Sequence, residues 1–214
     1  GGIFSYELGC RLNNRIAAFA SVSGSMMVDA FRDSYYNLGF CSPIHPTAVM
    51  LIPGTNDMGP HSSYTGYQPY YMSAAEITTY WSNYNNTDIT PIISQLPNIN
   101  ASDGSTVERR VWEGGDNCVR VEELKVIGGG HDWPGVFGNM DISASNEIWN
   151  FVSNFDINGL IDCNTTSNNE INIIQNKKLL SITDMLGRNI KELKNIPLFY
   201  LYDDGSVEKK IIIE

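Results

Sequence analysis

The sequence predicts an α/β domain with a parallel sheet flanked by helices, followed by a small all-β unit. Two observations carry the first part. Residues 16–22 and 48–52 are short, almost wholly apolar runs, and helix-patterned segments alternate with them. Strands buried on both faces read as continuous apolar runs, and helices alternating with such strands imply a parallel sheet. A change of grammar carries the second part. Residues 1–169 hold 7 Lys or Arg against 17 Asp or Glu, whereas the last 45 hold 7 of each and are rich in short β-prone runs.

Taken in order, residues 3–14 read as a helix, with Phe4, Leu8 and Leu12 at a spacing of four. The apolar run 16–22 is the first buried strand, and a mostly polar loop follows to about Pro46. Residues 48–52 form the second buried strand, which stops at Pro53-Gly54. Residues 73–84 place Ala75, Ile77, Tyr80, Trp81 and Tyr84 on one helical stripe. Residues 85–104, rich in Asn, Thr and Pro, read as loop. Residues 107–112 and 121–127 are strands around the Gly114-Gly115 turn. Residues 143–155 close the body as a helix, with Ser143 or Asp141 as cap and Ile148, Trp149, Phe151 and Val152 facing inward.

The body is thus expected over residues 1–158, a polar linker over 159–175 and a β-rich unit over 176–214. The linker contains the run DCNTTSNN. In the last unit, runs at 179–182, 198–202 and 210–213 are separated by turns at Gly187 and at Asp203-Asp204-Gly205.

Bulk properties exclude several classes. An acidic body with no basic cluster argues against nucleic acid as a partner. No stretch reaches the length of a transmembrane helix. No signal peptide is visible, and an opening Gly1-Gly2 in place of methionine reads as a fragment or a processed form. The four cysteines, Cys10, Cys41, Cys118 and Cys163, include no CxxC pair, and the three histidines are scattered, so no metal or cofactor is expected. An even cysteine count suits two disulfides or four buried thiols equally.

The run GGGHDWPG, residues 128–135, is the most chemically loaded stretch. It places His131 on a loop at the end of a strand, a position suited to proton transfer. The glycines let the backbone turn sharply against a substrate, and Trp133 offers a flat apolar wall. The second loaded stretch is PGTND, residues 53–57, which puts Asp57 at the end of the other buried strand. Open α/β sheets bind ligands at the carboxyl edge. An acid followed by a histidine matches the last two members of a serine-hydrolase triad, with Asp57 orienting the ring and His131 as base. No G-x-S-x-G occurs, and Ser23 and Ser25, in VSGSM, lack glycine framing and read as loop residues. Tyr64, Trp81 and Trp133 are the candidate aromatic substrate contacts.

Residues 1 to about 155 resemble the C-terminal part of the polyhydroxybutyrate depolymerase and feruloyl esterase group of α/β-hydrolases. GGIFSYELGCRL, residues 1–12, is similar to the end of that group's Gly-x-Ser-x-Gly-Gly elbow and the helix after it. RIAAFASVSG, residues 15–24, resembles the next strand. The group's acid lies in His-Gly-Thr-x-Asp. This chain has Pro53 in place of the histidine and keeps Gly54, Thr55 and Asp57. The group's base lies in Gly-Gly-His-x-Trp-Pro-Gly, matched from Gly129 to Gly135 with His131. The resemblance implies a carboxylic-ester hydrolase of the Ser-Asp-His type, with no cofactor. Feruloyl or acetyl esters on polysaccharide and polyhydroxyalkanoate esters are the implied substrates. It also implies that the nucleophilic serine lies two residues before Gly1, so the chain itself is expected to be inactive. A non-catalytic carbohydrate-binding module on a degenerate hydrolase scaffold and a peptidase of the same fold are the alternatives.

Residues 181–214 resemble the C-terminal sorting domain of type IX secretion, through Asp184 to Arg188, the Tyr202-Asp203-Asp204-Gly205 turn and Val207 to Lys210. This resemblance implies export across an outer membrane and the secretion machinery as a partner. Export favours disulfides, and the pairs taken with it are Cys10–Cys41 and Cys118–Cys163.

Overall fold

Buried apolar strands organise the first of the two units into which the chain divides, Gly1–Thr166 and Ser167–Glu214. The computed structural model describes residues 1–163, 178–184, 187–191, 197–203 and 207–211. In chain order the first unit runs α1 (Gly2–Arg11), β1 (Ala18–Val22), α2 (Asp29–Tyr36), β2 (Ala48–Ile52), α3 (Ala74–Asn85), β3 (Ile92–Gln95) and β4 (Thr106–Trp112). It continues with β5 (Val121–Ile127), α4 (Ala144–Val152) and a two-strand hairpin, β6 (Phe155–Asp156) and β7 (Gly159–Leu160).

The main sheet has the order β1-β2-β5-β4-β3. β1, β2 and β5 are parallel, but β4 pairs antiparallel with both β5 and β3, so the sheet is mixed rather than wholly parallel. The reason is the connection. Parallel neighbours need a crossover of a dozen or more residues, and residues 113–120 span β4 to β5 by a short turn.

Alternate side chains fill two cores. Phe19, Val49, Leu51 and Val121 pack with Tyr6, Ile77 and Trp81 on one face. Ala48, Met50, Ile52, Leu124 and Val126 pack with Phe151 and Phe155 on the other. β2 is buried along its whole length, which explains its unbroken apolar sequence. α3 starts with a reciprocal capping box between Ser73 and Glu76, and the cap backbone bond holds the Glu76 carboxyl below its usual range.

Several elements depart from expectation. α2 and β3 occupy segments read as loop. α4 stops at Val152, with Ser143 as its cap, and Phe155 belongs to the hairpin. Trp149 is 69 % exposed instead of facing inward. A nine-residue helix turns its Ala144, Ile148, Phe151 and Val152 side to the sheet, and Trp149 lies one residue, about 100°, off that stripe. Among the described residues β1 forms one edge of the sheet. Its sequence, AFASV, carries none of the charges or prolines that guard exposed edges.

Both disulfides, Cys10–Cys41 and Cys118–Cys163, are formed within the first unit. The second of these and β7 carry that unit past residue 158, into the segment read as linker; residues 164–175 lie outside the described residues. The second unit is an antiparallel sheet, β8 (Leu179–Thr183), β9 (Pro197–Tyr202) and β10 (Val207–Ile211), in the order β10-β9-β8. Among its described residues, Leu198 and Tyr200 are buried. Gly187 adopts φ +76°, and Arg188 Nε donates to Asp184 across the turn at 2.7 Å. The expected turn residues Asp204 and Gly205, and residues 212–213 of the last run, lie outside the described residues.

Candidate active site

Two loops leave the carboxyl ends of the parallel strands β2 and β5 and are laced together. Val126 N–H donates to Pro53 O at 2.9 Å, Thr55 N–H to Val126 O at 3.0 Å and Asn56 N–H to Gly129 O at 2.8 Å. Gly128 N–H donates to Thr55 Oγ1 at 2.9 Å. The approach is close enough to demand glycine: a Cβ on Gly54 would sit 2.2 Å from Gly130 O.

This lacing brings Asp57 and His131 together. Asp57 is 3 % exposed. Its Oδ2 accepts from Ser63 N–H at 3.0 Å and from Ser63 Oγ at 2.7 Å. His131 Nδ1 lies 3.2 Å from both Asp57 Oδ1 and Oδ2, at the long end of hydrogen bonding. The histidine side chain is 67 % exposed. No described residue hydrogen-bonds its Nε2. A carboxylate fixed by two serine donors therefore holds one ring nitrogen, and the other is open. That arrangement can orient a proton-accepting imidazole and stabilise its charged form.

The serines near this pair have structural tasks. Ser25 is fully buried and its Oγ donates to Ser62 O at 2.6 Å. Ser23, at the end of β1 with φ +47°, donates from Oγ to Asp132 O at 2.9 Å and so steadies the residue after His131. The Asp132 carboxylate in turn accepts from Gly130 N–H at 2.8 Å. The start of α1 meets the same turn, because a Cβ on Gly2 would lie 2.7 Å from Gly24 Cα and 2.9 Å from Val22 O. The ends of β1, β2 and β5 and the first turn of α1 thus gather around one edge. Ser23 and Ser63 were missed as supports, since a serine in a loop carries no spacing that reveals its partner.

The aromatic candidates separate. Trp133 is 37 % exposed beside His131 in the chain, and its Nε1 donates to Ser145 Oγ at 3.3 Å. Tyr64 is half-buried, with Lys125 Nζ 5.2 Å from its ring centre. It lines a hollow of about 500 Å³ with Arg110, Trp112 and Glu123, and neither Asp57 nor His131 lines that hollow. Burial raises the Glu123 carboxyl there, against the opposing pull of Arg110 and Lys125. Trp81 has no exposed surface and packs against Phe19, Tyr80 and Tyr84, so it is a core residue and not a substrate contact. Among the described residues, no group of three or more His, Cys, Asp or Glu side chains is placed to hold a metal.

No protein-family model matches the chain, and no curated protein matches it significantly.

Proposed function

We propose that this chain supplies the acid and base of a secreted serine-type carboxylic-ester hydrolase of the α/β-hydrolase fold. The observation that carries the proposal is the Asp57–His131 pair at 3.2 Å on the carboxyl edge of parallel strands. The nucleophile is a serine in the Gly-x-Ser-x-Gly-Gly turn that Gly1 and Gly2 complete. The close packing of Gly2 on Val22 and Gly24, beside the Ser23–Asp132 bond, supports that assignment. The edge that β1 forms among the described residues suits a further parallel strand.

In this mechanism His131 Nε2 takes the proton as the serine oxygen attacks the ester carbonyl. The carbonyl π electrons move onto oxygen and then return, expelling the alcohol, which receives the proton from Nε2. Water, deprotonated by the same nitrogen, cleaves the acyl-serine and restores the enzyme. Asp57 holds Nδ1 throughout. Trp133, two residues after His131 in the chain, serves as a substrate contact. The substrate is an ester of a plant polysaccharide or of a polyhydroxyalkanoate, and no cofactor takes part.

Hydrolysis of p-nitrophenyl acetate tests this. The full-length protein with its elbow is expected to release nitrophenol well above background, and the 214-residue chain is not. Robust turnover by the 214-residue chain would move the nucleophile to Ser23 and overturn the assignment.

The small antiparallel sheet of residues 178–211 is proposed as an export signal. Removing residues 167–214 is expected to keep the protein inside the cell while leaving ester turnover of the full-length enzyme unchanged. Secretion that persists without those residues would refute that role.

A further inference from the structure

Seven aromatic rings meet in one continuous cluster on α2 and the loop between β2 and α3. Phe31 is its hub: Tyr35 stacks on it at 5.3 Å, and Tyr36, Tyr70 and Tyr71 meet it edge-on at 4.9–5.8 Å. Tyr67 stacks on Tyr70 at 5.6 Å, and His61 touches Tyr71 at 5.0 Å. Phe31 is half-buried and Tyr71 buried, but Tyr35, Tyr36, Tyr67 and Tyr70 are 73 %, 48 %, 48 % and 40 % exposed. The hydrophobic effect alone would bury such rings, and a contiguous exposed patch of this kind marks a binding surface.

We infer that this tyrosine ledge binds a neutral glycan chain. Three features choose the ligand. First, every exposed ring but His61 is a tyrosine. Each offers an electron-rich face, which attracts the slightly positive C–H face of a sugar ring, and a hydroxyl that can donate to and accept from the sugar's own hydroxyls. A polyester has no hydroxyl to donate to those phenols. Second, the surroundings are polar and acidic. Asp33, Ser34 and Gln68 are exposed beside the rings along the chain, and the protein carries a net charge of −10. Sugar hydroxyls can donate to the Asp33 carboxylate, whereas an anionic polymer is repelled. Third, the ledge is preorganised. Val28 N–H donates to Tyr70 O at 2.9 Å and Tyr67 N–H to Tyr71 O at 2.8 Å, so ordering the rings adds little entropic cost on binding.

The ledge is joined to the candidate active site through the chain. α2 follows the carboxyl end of β1, and the tyrosine loop follows that of β2. His61, which touches Tyr71, lies between Asp57 and the Ser63 that anchors it. Resting on the ester-hydrolase proposal, a glycan held on these rings makes polysaccharide, rather than polyester, the substrate whose ester branches the catalytic edge cleaves.

Native electrophoresis of the 214-residue chain through gels containing neutral arabinoxylan reads the binding without any turnover. The chain is expected to be retarded, and Tyr35→Ala and Tyr67→Ala each to weaken the apparent affinity several-fold at unchanged melting temperature. Tyr35→Trp, which keeps a ring face, is expected to retain most of it. Equal retardation of the alanine variants and the unaltered chain would overturn the inference. So would tighter binding to polygalacturonate, adsorption to polyhydroxybutyrate granules in place of the glycan, or a dimer that the alanine variants dissolve. Binding by the chain together with a full-length protein inert on esters would refute only the hydrolase proposal.

Discussion

Replacing His131 with alanine in the full-length protein is expected to lower kcat for p-nitrophenyl acetate by about 10⁴-fold or more, with KM little changed. The alanine removes the group proposed to take the serine proton, an event confined to the transition state. Asp57→Asn should reduce kcat to a similar degree. An amide in place of the carboxylate cannot stabilise the imidazolium, and its N–H₂ can turn toward Nδ1 and favour the wrong tautomer. Ser63→Ala should cost less, because Asp57 keeps its bond from the Ser63 backbone N–H at 3.0 Å. Steady-state kinetics on the three variants decide the matter. A His131→Ala enzyme within tenfold of the unaltered one would mean that His131 is not the base.

The chemistry-bearing residues were legible in the sequence because strand ends are legible. A strand-patterned run that stops at Pro-Gly or at three glycines marks both the strand and the loop after it. Asp57 and His131 follow from two such stops, and parallel pairing of β2 and β5 puts the stops on one edge. What holds the pair was not legible. Ser63 reaches Asp57 only through the fold of the 57–63 loop, and Ser23 reaches Asp132 across 109 residues of sequence. Trp149 shows the limit of a stripe drawn on a helix, because which face meets the sheet depends on where the helix begins and ends; Trp81 is buried as its stripe placed it and fails only as a substrate contact.

The missed elements share a cause. β3 is exposed at all four positions, so its PIISQ segment carries no alternation between a core side and a water side. In α2 the most buried side chain is an arginine, so no apolar stripe announces the helix. α2 is held by charge where apolar periodicity looks for grease.

That arginine supports the second large effect, which is on stability. Arg32 has no exposed side-chain surface, and its Nε and Nη2 donate to the two Glu7 oxygens at 2.8 and 2.7 Å. Its Nη1 donates to Gly39 O at 2.8 Å, while Asp29 accepts from Cys41 N–H at 2.8 Å. The pair therefore ties α1 to α2 and to the segment that carries the Cys10–Cys41 disulfide. Glu7→Leu leaves the buried guanidinium only the partly exposed Asp29 carboxylate, 3.6 Å from Nη1, as counter-charge. Removing one partner of a buried pair costs about 3–5 kcal/mol, a fall in Tm of roughly 6–20 °C for a domain of this size. Arg32→Met should cost as much, since Glu7 is then the stranded charge. The double variant Glu7→Leu/Arg32→Met strands neither, and half-buried Gly39 can offer its carbonyl to water instead. Its stability should lie well above that of either single variant, because well-packed apolar residues commonly replace a buried ion pair at little cost. Urea unfolding of the four proteins with both disulfides intact measures the coupling. Additive losses in the double variant would mean that Glu7 and Arg32 act separately, and that packing rather than the ion pair holds α2 in place.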